Sequence, residues 1–121
     1  MKKTILLVVA LFVSAGVQAA DGYKLLKQCD LAIRTMALRL PTTKLDHGNI
    51  MHCYGKMQGI IATTFQHRRR FGTALFCPPG SLTAGGAARI VVNYMKARPS
   101  VLSGDEIKIS ISALRQAYPC R

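Results

Sequence analysis

Acidic side chains are scarce in this chain. Five Asp and Glu stand against seventeen Lys and Arg, a formal charge of +12 over 121 residues. Two of the five, Asp105 and Glu106, sit where a helix start would use them, so few carboxylates remain for acid–base work. The G-x-S-x-G elbow, a phosphate-cradling glycine loop and the H-E-x-x-H pair are also absent. The chain is therefore read as a non-enzyme, with no cofactor and no catalytic residue. Long apolar runs are missing too: Ile5 to Val13 falls short of the roughly 20 residues that span a membrane. Nothing sustains period-two alternation. Ile107-Lys108-Ile109-Ser110-Ile111 alternates briefly, but it follows helix-start residues. The absences leave a helical, non-catalytic protein.

What is present begins with an export signal. Lys2 and Lys3 form a short basic segment, Ile5 to Val13 the apolar stretch, and Val17-Gln18-Ala19 a small-residue cleavage site. Residues 1–19 are read as a cleaved signal peptide and residues 20–121 as one domain. Without Lys2 and Lys3 the balance is fifteen basic against five acidic residues, a formal +10. Such an excess favours acidic partners, a protein surface or an anionic envelope polymer, while export disfavours nucleic acid. No membrane contact is expected once the signal is cleaved.

Four helices follow from periodicity and caps. The first spans Gly22 to about Leu38, its apolar stripe built on Tyr23, Leu26, Ile33 and Ala37 and broadened by Leu25, Cys29 and Met36. Pro41 marks the exit, and Thr42 to Gly48 reads as a polar connection. The second is expected from about Asn49, an N-cap, to Gln66, with Ile50, Cys53, Met57, Ile60, Ile61 and Thr64 inward. Gly55 and Gly59 each cost about 1 kcal/mol in a helix interior relative to Ala. Their shared face therefore predicts close packing of another backbone. The third helix begins behind Thr83, with Ala87, Ile90, Val91, Tyr94 and Met95 inward, and ends at Arg98-Pro99. The fourth begins with Ser103 as N-cap and Glu106 at N3, then buries Ile107, Ile111, Leu114 and Tyr118.

The cysteines count four, an even number in an exported chain, which favours two disulfides. Four cysteines allow three pairings. An antiparallel hairpin of the last two helices brings Cys77 beside Cys120, leaving Cys29 with Cys53. Each link would contribute roughly 3–4 kcal/mol in the chain-entropy account. His47, His52 and Cys53 lie close in sequence but lack ligand spacing, and on a helix His52 and Cys53 point about 100° apart. No metal site is expected.

Several of these residues carry a resemblance. Cys29, Cys53-x-Gly55-x-x-x-Gly59, Phe76-Cys77-Pro78, Val91-Val92-x-Tyr94, Pro99 and Ala113-Leu114-x-x-Ala117-Tyr118-Pro119-Cys120 together resemble the Rap/Tai-type immunity proteins of type VI secretion. The resemblance covers nearly all of the chain after the signal. It implies a small all-α periplasmic protein, commonly a homodimer, that binds a peptidoglycan amidase effector and occludes its active site. On that reading the candidate contact residues are His67, Arg68, Arg69, Arg70 and Phe71, because Arg forms bidentate bonds to carboxylates and Phe can anchor an interface. A different class of function, a basic periplasmic structural or chaperone-like module, would instead show weak, salt-sensitive binding to many clients.

Overall fold

Capping chemistry and close backbone approach set where each helix starts and stops. The structure is a computed structural model and describes residues 21–121; the expected signal peptide lies outside those residues. Helix α1 covers Gly22–Leu38, α2 Lys44–Phe71, α3 Ala84–Ala97 and α4 Glu106–Ala117, with a 3-10 turn at Pro99–Ser103 before α4. Among the described residues there is no strand. The expected all-α architecture of four helices and two disulfides is the one observed.

Helix α1 starts against the 3-10 turn. The Gly22 N–H donates to the Gly104 carbonyl at 3.2 Å, and a Cβ at Gly22 would collide with the Leu102 carbonyl. Only glycine lets the two backbones meet there. At the other end Arg39 takes the left-handed conformation (φ 49°), and the Leu40 N–H returns to the Thr35 carbonyl at 3.3 Å. Pro41 then leads the chain out.

Helix α2 corrects the expected polar connection. It begins at Lys44, five residues before the expected Asn49, because Thr43 and Asp46 form a capping box. The Asp46 N–H donates to Thr43 Oγ1 at 3.1 Å and the Thr43 N–H donates back to Asp46 Oδ2 at 3.0 Å. Asn49 is therefore inside the helix, where its Oδ1 accepts from Gln28 Nε2 at 3.3 Å. The helix also runs past Gln66 to Phe71 and closes on Gly72, whose φ of 71° suits a residue without a Cβ. Cys53, Met57, Ile60 and Thr64 face the core as expected.

Helix α3 starts where the sequence places it: Thr83 Oγ1 accepts from the Gly86 N–H at 3.0 Å. It packs on α1, α2 and α4, and buried Ala87 and Ala88 keep its surface low enough for that. Helix α4 differs from expectation. Ser103 is consumed by the 3-10 turn, where its hydroxyl donates to the Ser100 carbonyl, and Asp105 becomes the N-cap, accepting from the Lys108 N–H at 2.8 Å. The buried arc is Ile109, Ser110, Ala113 and Leu114, while Ile107 is exposed. Helix α1 is rotated in the same sense. Leu25, Gln28, Cys29 and Ala32 are buried, whereas Tyr23 and Met36 are exposed.

The core joins Leu25, Met57, Phe76, Val91, Met95 and Leu114. Cys29–Cys53 ties α1 to α2 in the interior, and Cys77–Cys120 ties the α2–α3 loop to the C-terminal tail, with Cα–Cα distances of 5.2 and 5.0 Å. Both pairings are the expected ones. The expected close packing at Gly55 and Gly59 is not found within the chain. Both are exposed, and a Cβ at either would meet nothing within 4 Å.

Candidate partner-binding surface

The last turn of α2 presents the charge run as a shaped surface. His67 donates from Nδ1 to the Thr73 carbonyl at 2.8 Å, which holds the ring against the chain reversal. Its ring lies 4.8 Å from that of Phe71, one helical turn on, and the Arg70 guanidinium sits 5.6 Å from the Phe71 ring centre. Phe71 remains 62 % exposed. The arrangement is an aromatic side chain held in place by a histidine and flanked by arginines at the negative end of a helix.

Two further arginines are tied to the loop that follows α2 from the other end of the chain. Arg115, in the last turn of α4, donates through Nε to the Leu75 carbonyl at 3.0 Å. The Cys77 N–H donates to the Tyr118 carbonyl at 2.8 Å, and the Cys77–Cys120 bridge holds the tail on which Arg121 follows. Sequence reasoning missed Arg115 and Arg121. The expected Cys77–Cys120 pairing was the available signal for Arg121; Arg115 had none, because only the packing of α4 on the loop brings it there.

Carboxylates are spent elsewhere. Asp30 pairs with Arg34 at 2.9 Å and Lys96 at 2.6 Å, and Glu106 pairs with Lys56 at 2.6 Å. Asp46 and Asp105 cap helices. The hydrogen bonds from the Thr43 N–H and hydroxyl hold the Asp46 carboxyl below its ordinary value. Four of the five acids thus serve the fold, and among the described residues none lies within 4.0 Å of Arg68, Arg69, Arg70, Arg115 or Arg121. The arginines of the pole are left without an Asp or Glu partner.

The remaining candidates sit apart from it. His47 and His52 are exposed on the N-terminal half of α2, and among the described residues no group of three or more His, Cys, Asp or Glu could hold a metal ion. Tyr54 donates its hydroxyl to Met36 Sδ at 2.6 Å, and burial pushes that hydroxyl's pKa up against the opposing pull of Arg89. Gly55 lies on an open face of α2 with Gly48, Met51 and His52, and Gly59 is exposed one turn further on.

A disulfide-stapled helical bundle that uses four of its five acids in its own fold, and that sets an arginine run beside an exposed aromatic ring, has the make-up of a small binding protein. The Rap1a immunity proteins match residues 21–120, and the chain belongs to that family. No curated protein and no solved structure matches it. The immunity family is not an enzyme class, and membership in it implies a cognate effector protein as the partner.

Proposed function

We propose that this protein is a periplasmic immunity protein that binds a type VI secreted peptidoglycan amidase effector and occludes its active site. The producing cell and its siblings are thereby protected. Family membership supports the immunity role, and the two disulfides fit an oxidising compartment. The observation that carries the contact assignment is the exposed Phe71 beside arginines that pair with no Asp or Glu. His67, Arg68, Arg69, Arg70 and Phe71 meet the effector there: the arginines steer an acidic rim into contact and the ring anchors it. Inhibition is by occlusion, so the chain contributes no reacting group.

The same reading includes a homodimer. The backbone approach expected at Gly55 and Gly59, unmet within one chain, is supplied by the α2 of a second copy.

Co-purification with an exported amidase encoded beside this gene tests the partner. Replacing Arg68, Arg69 and Arg70 by Ala should weaken that complex at least about tenfold while lowering fold stability by no more than about 1 kcal/mol. Unchanged affinity would remove the pole from the interface. Weak, salt-sensitive protection of unrelated unfolded clients, with no single tight partner, would replace the proposal by a chaperone-like role.

A further inference from the structure

The ends of α1 and α2 and the turn between them carry apolar side chains that the chain leaves largely open. Met36 is 66 % exposed, Leu38 65 %, Leu40 44 % and Leu45 75 %. They are fixed rather than loose. The left-handed Arg39 and the Leu40-to-Thr35 hydrogen bond set one side of the turn, and the Thr43–Asp46 capping box sets the other. Arg39 and Lys44 alternate with the leucines, and neither lies within 4.0 Å of a carboxylate. The acid of the turn, Asp46, is folded back onto the N–H and hydroxyl of Thr43. The result is an aliphatic apex ringed by cations, at one end of the bundle.

We propose that this apex docks the protein on an anionic lipid surface, with Leu38, Leu40 and Leu45 at the headgroup–acyl boundary and Arg39 and Lys44 on the phosphates. Layering of apolar tip, cationic ring and polar body matches the layering of a bilayer interface. A second copy fits this apex poorly, because it would set the same cations face to face. A protein partner fits it less well than lipid does. Interface anchors favour Trp, Tyr and Arg and under-represent Leu, and the exposed apolar part of this apex is leucine and methionine with no aromatic residue. The excess of basic residues adds attraction towards a negative leaflet. No described helix is long and apolar enough to cross a membrane. Docking at a surface requires none. Helix α2 runs about 42 Å from this apex to the pole at Arg68–Phe71, at 1.5 Å per residue. A docked molecule keeps its opposite, effector-binding pole clear of the bilayer.

The test is flotation of the signal-cleaved chain with vesicles containing phosphatidylglycerol, against vesicles of phosphatidylcholine alone, at low salt. Wild type should float with the first and not the second. Leu38→Ser/Leu40→Ser/Leu45→Ser should reduce flotation at least about tenfold with an unchanged melting curve, since these side chains make little of the core. The chain has no tryptophan, so Leu45→Trp provides a single indole whose emission should shift to the blue with the anionic vesicles only. Absence of flotation overturns the proposal. So does flotation that the serine variant retains in full, which is adsorption by charge alone, or an unshifted tryptophan. Loss of effector binding by the serine variant with flotation unaffected would assign the apex to a protein instead. The vesicle arms contain no effector, so their outcome is independent of whether the amidase reading holds.

Discussion

Lys56 Nζ lies 2.6 Å from Glu106 Oε2, joining the middle of α2 to the first residue of α4, with only 20 % and 16 % of the two side chains exposed. Removing one partner leaves the other charge shielded from water and unpaired. Lys56→Met should therefore destabilise the fold by about 2 kcal/mol, and Lys56→Met with Glu106→Leu should recover most of that loss. Denaturant unfolding of the two variants measures it. A Lys56→Met midpoint equal to wild type would show that the pair contributes nothing.

The Thr43–Asp46 capping box predicts a pH dependence. Hydrogen bonds from the Thr43 N–H, then from its hydroxyl, lower the Asp46 carboxyl below 3.8. A carboxyl lowered by folding stabilises the fold above its unfolded value, and that stability is lost as pH falls through the folded value. The stability gap between wild type and Asp46→Asn should accordingly be full at neutral pH and close only in acid below 3.8. Parallel melting profiles across that range would exclude the linkage. Thr43→Ala, which removes the other half of the box, should cost about 1 kcal/mol at neutral pH.

Gly55 and Gly59 separate fold from assembly. A Cβ at either position meets nothing within the chain. Gly55→Ala and Gly59→Ala should each stabilise the monomer by up to about 1 kcal/mol through helix propensity. If a second copy packs on this face, the same variants should weaken self-association in sedimentation equilibrium. Destabilised monomers would show that the open face had been misjudged, and undiminished self-association would move the dimer contact elsewhere.

The two disulfides should differ in how readily they are reduced. Cys29 and Cys53 are fully buried, whereas Cys120 is exposed near the C-terminus. Mild reductant on the folded protein should open Cys77–Cys120 first, read by thiol alkylation and peptide mass. Replacing Cys29 and Cys53 by Ala should cost more than the roughly 3–4 kcal/mol of loop closure, because the removed sulfurs also leave a cavity in the core. Simultaneous reduction of both bridges would mean that the bundle opens globally before the outer bridge is reached.

By itself the sequence determined the four helices, the pairing of the cysteines, the start of α3 behind Thr83 and the place of the arginine run. The helices, the Thr83 start and the arginine run follow from local chemistry, since caps, breakers and periodicity act within a few residues, and the cysteine pairing follows from setting the last two helices antiparallel. Only the tertiary structure decided the rest, because it required a choice between groups that are locally alike. Ser103 and Asp105 can each cap a helix, and the 3-10 turn that packs under Gly22 takes Ser103 and leaves the cap to Asp105. Thr43 and Asn49 competed in the same way, and the reciprocal bonds with Asp46 placed the start of α2 at Lys44. Periodicity also left more than one arc open on α1 and α4. The neighbouring helices selected Leu25, Cys29 and Ala32 on one and Ile109, Ala113 and Leu114 on the other. The basic pole needed both levels. Its arginines at 68 to 70 are legible in sequence, but Arg115 and Arg121 come to the loop after α2 only because packing and a disulfide fold the far end of the chain back onto it.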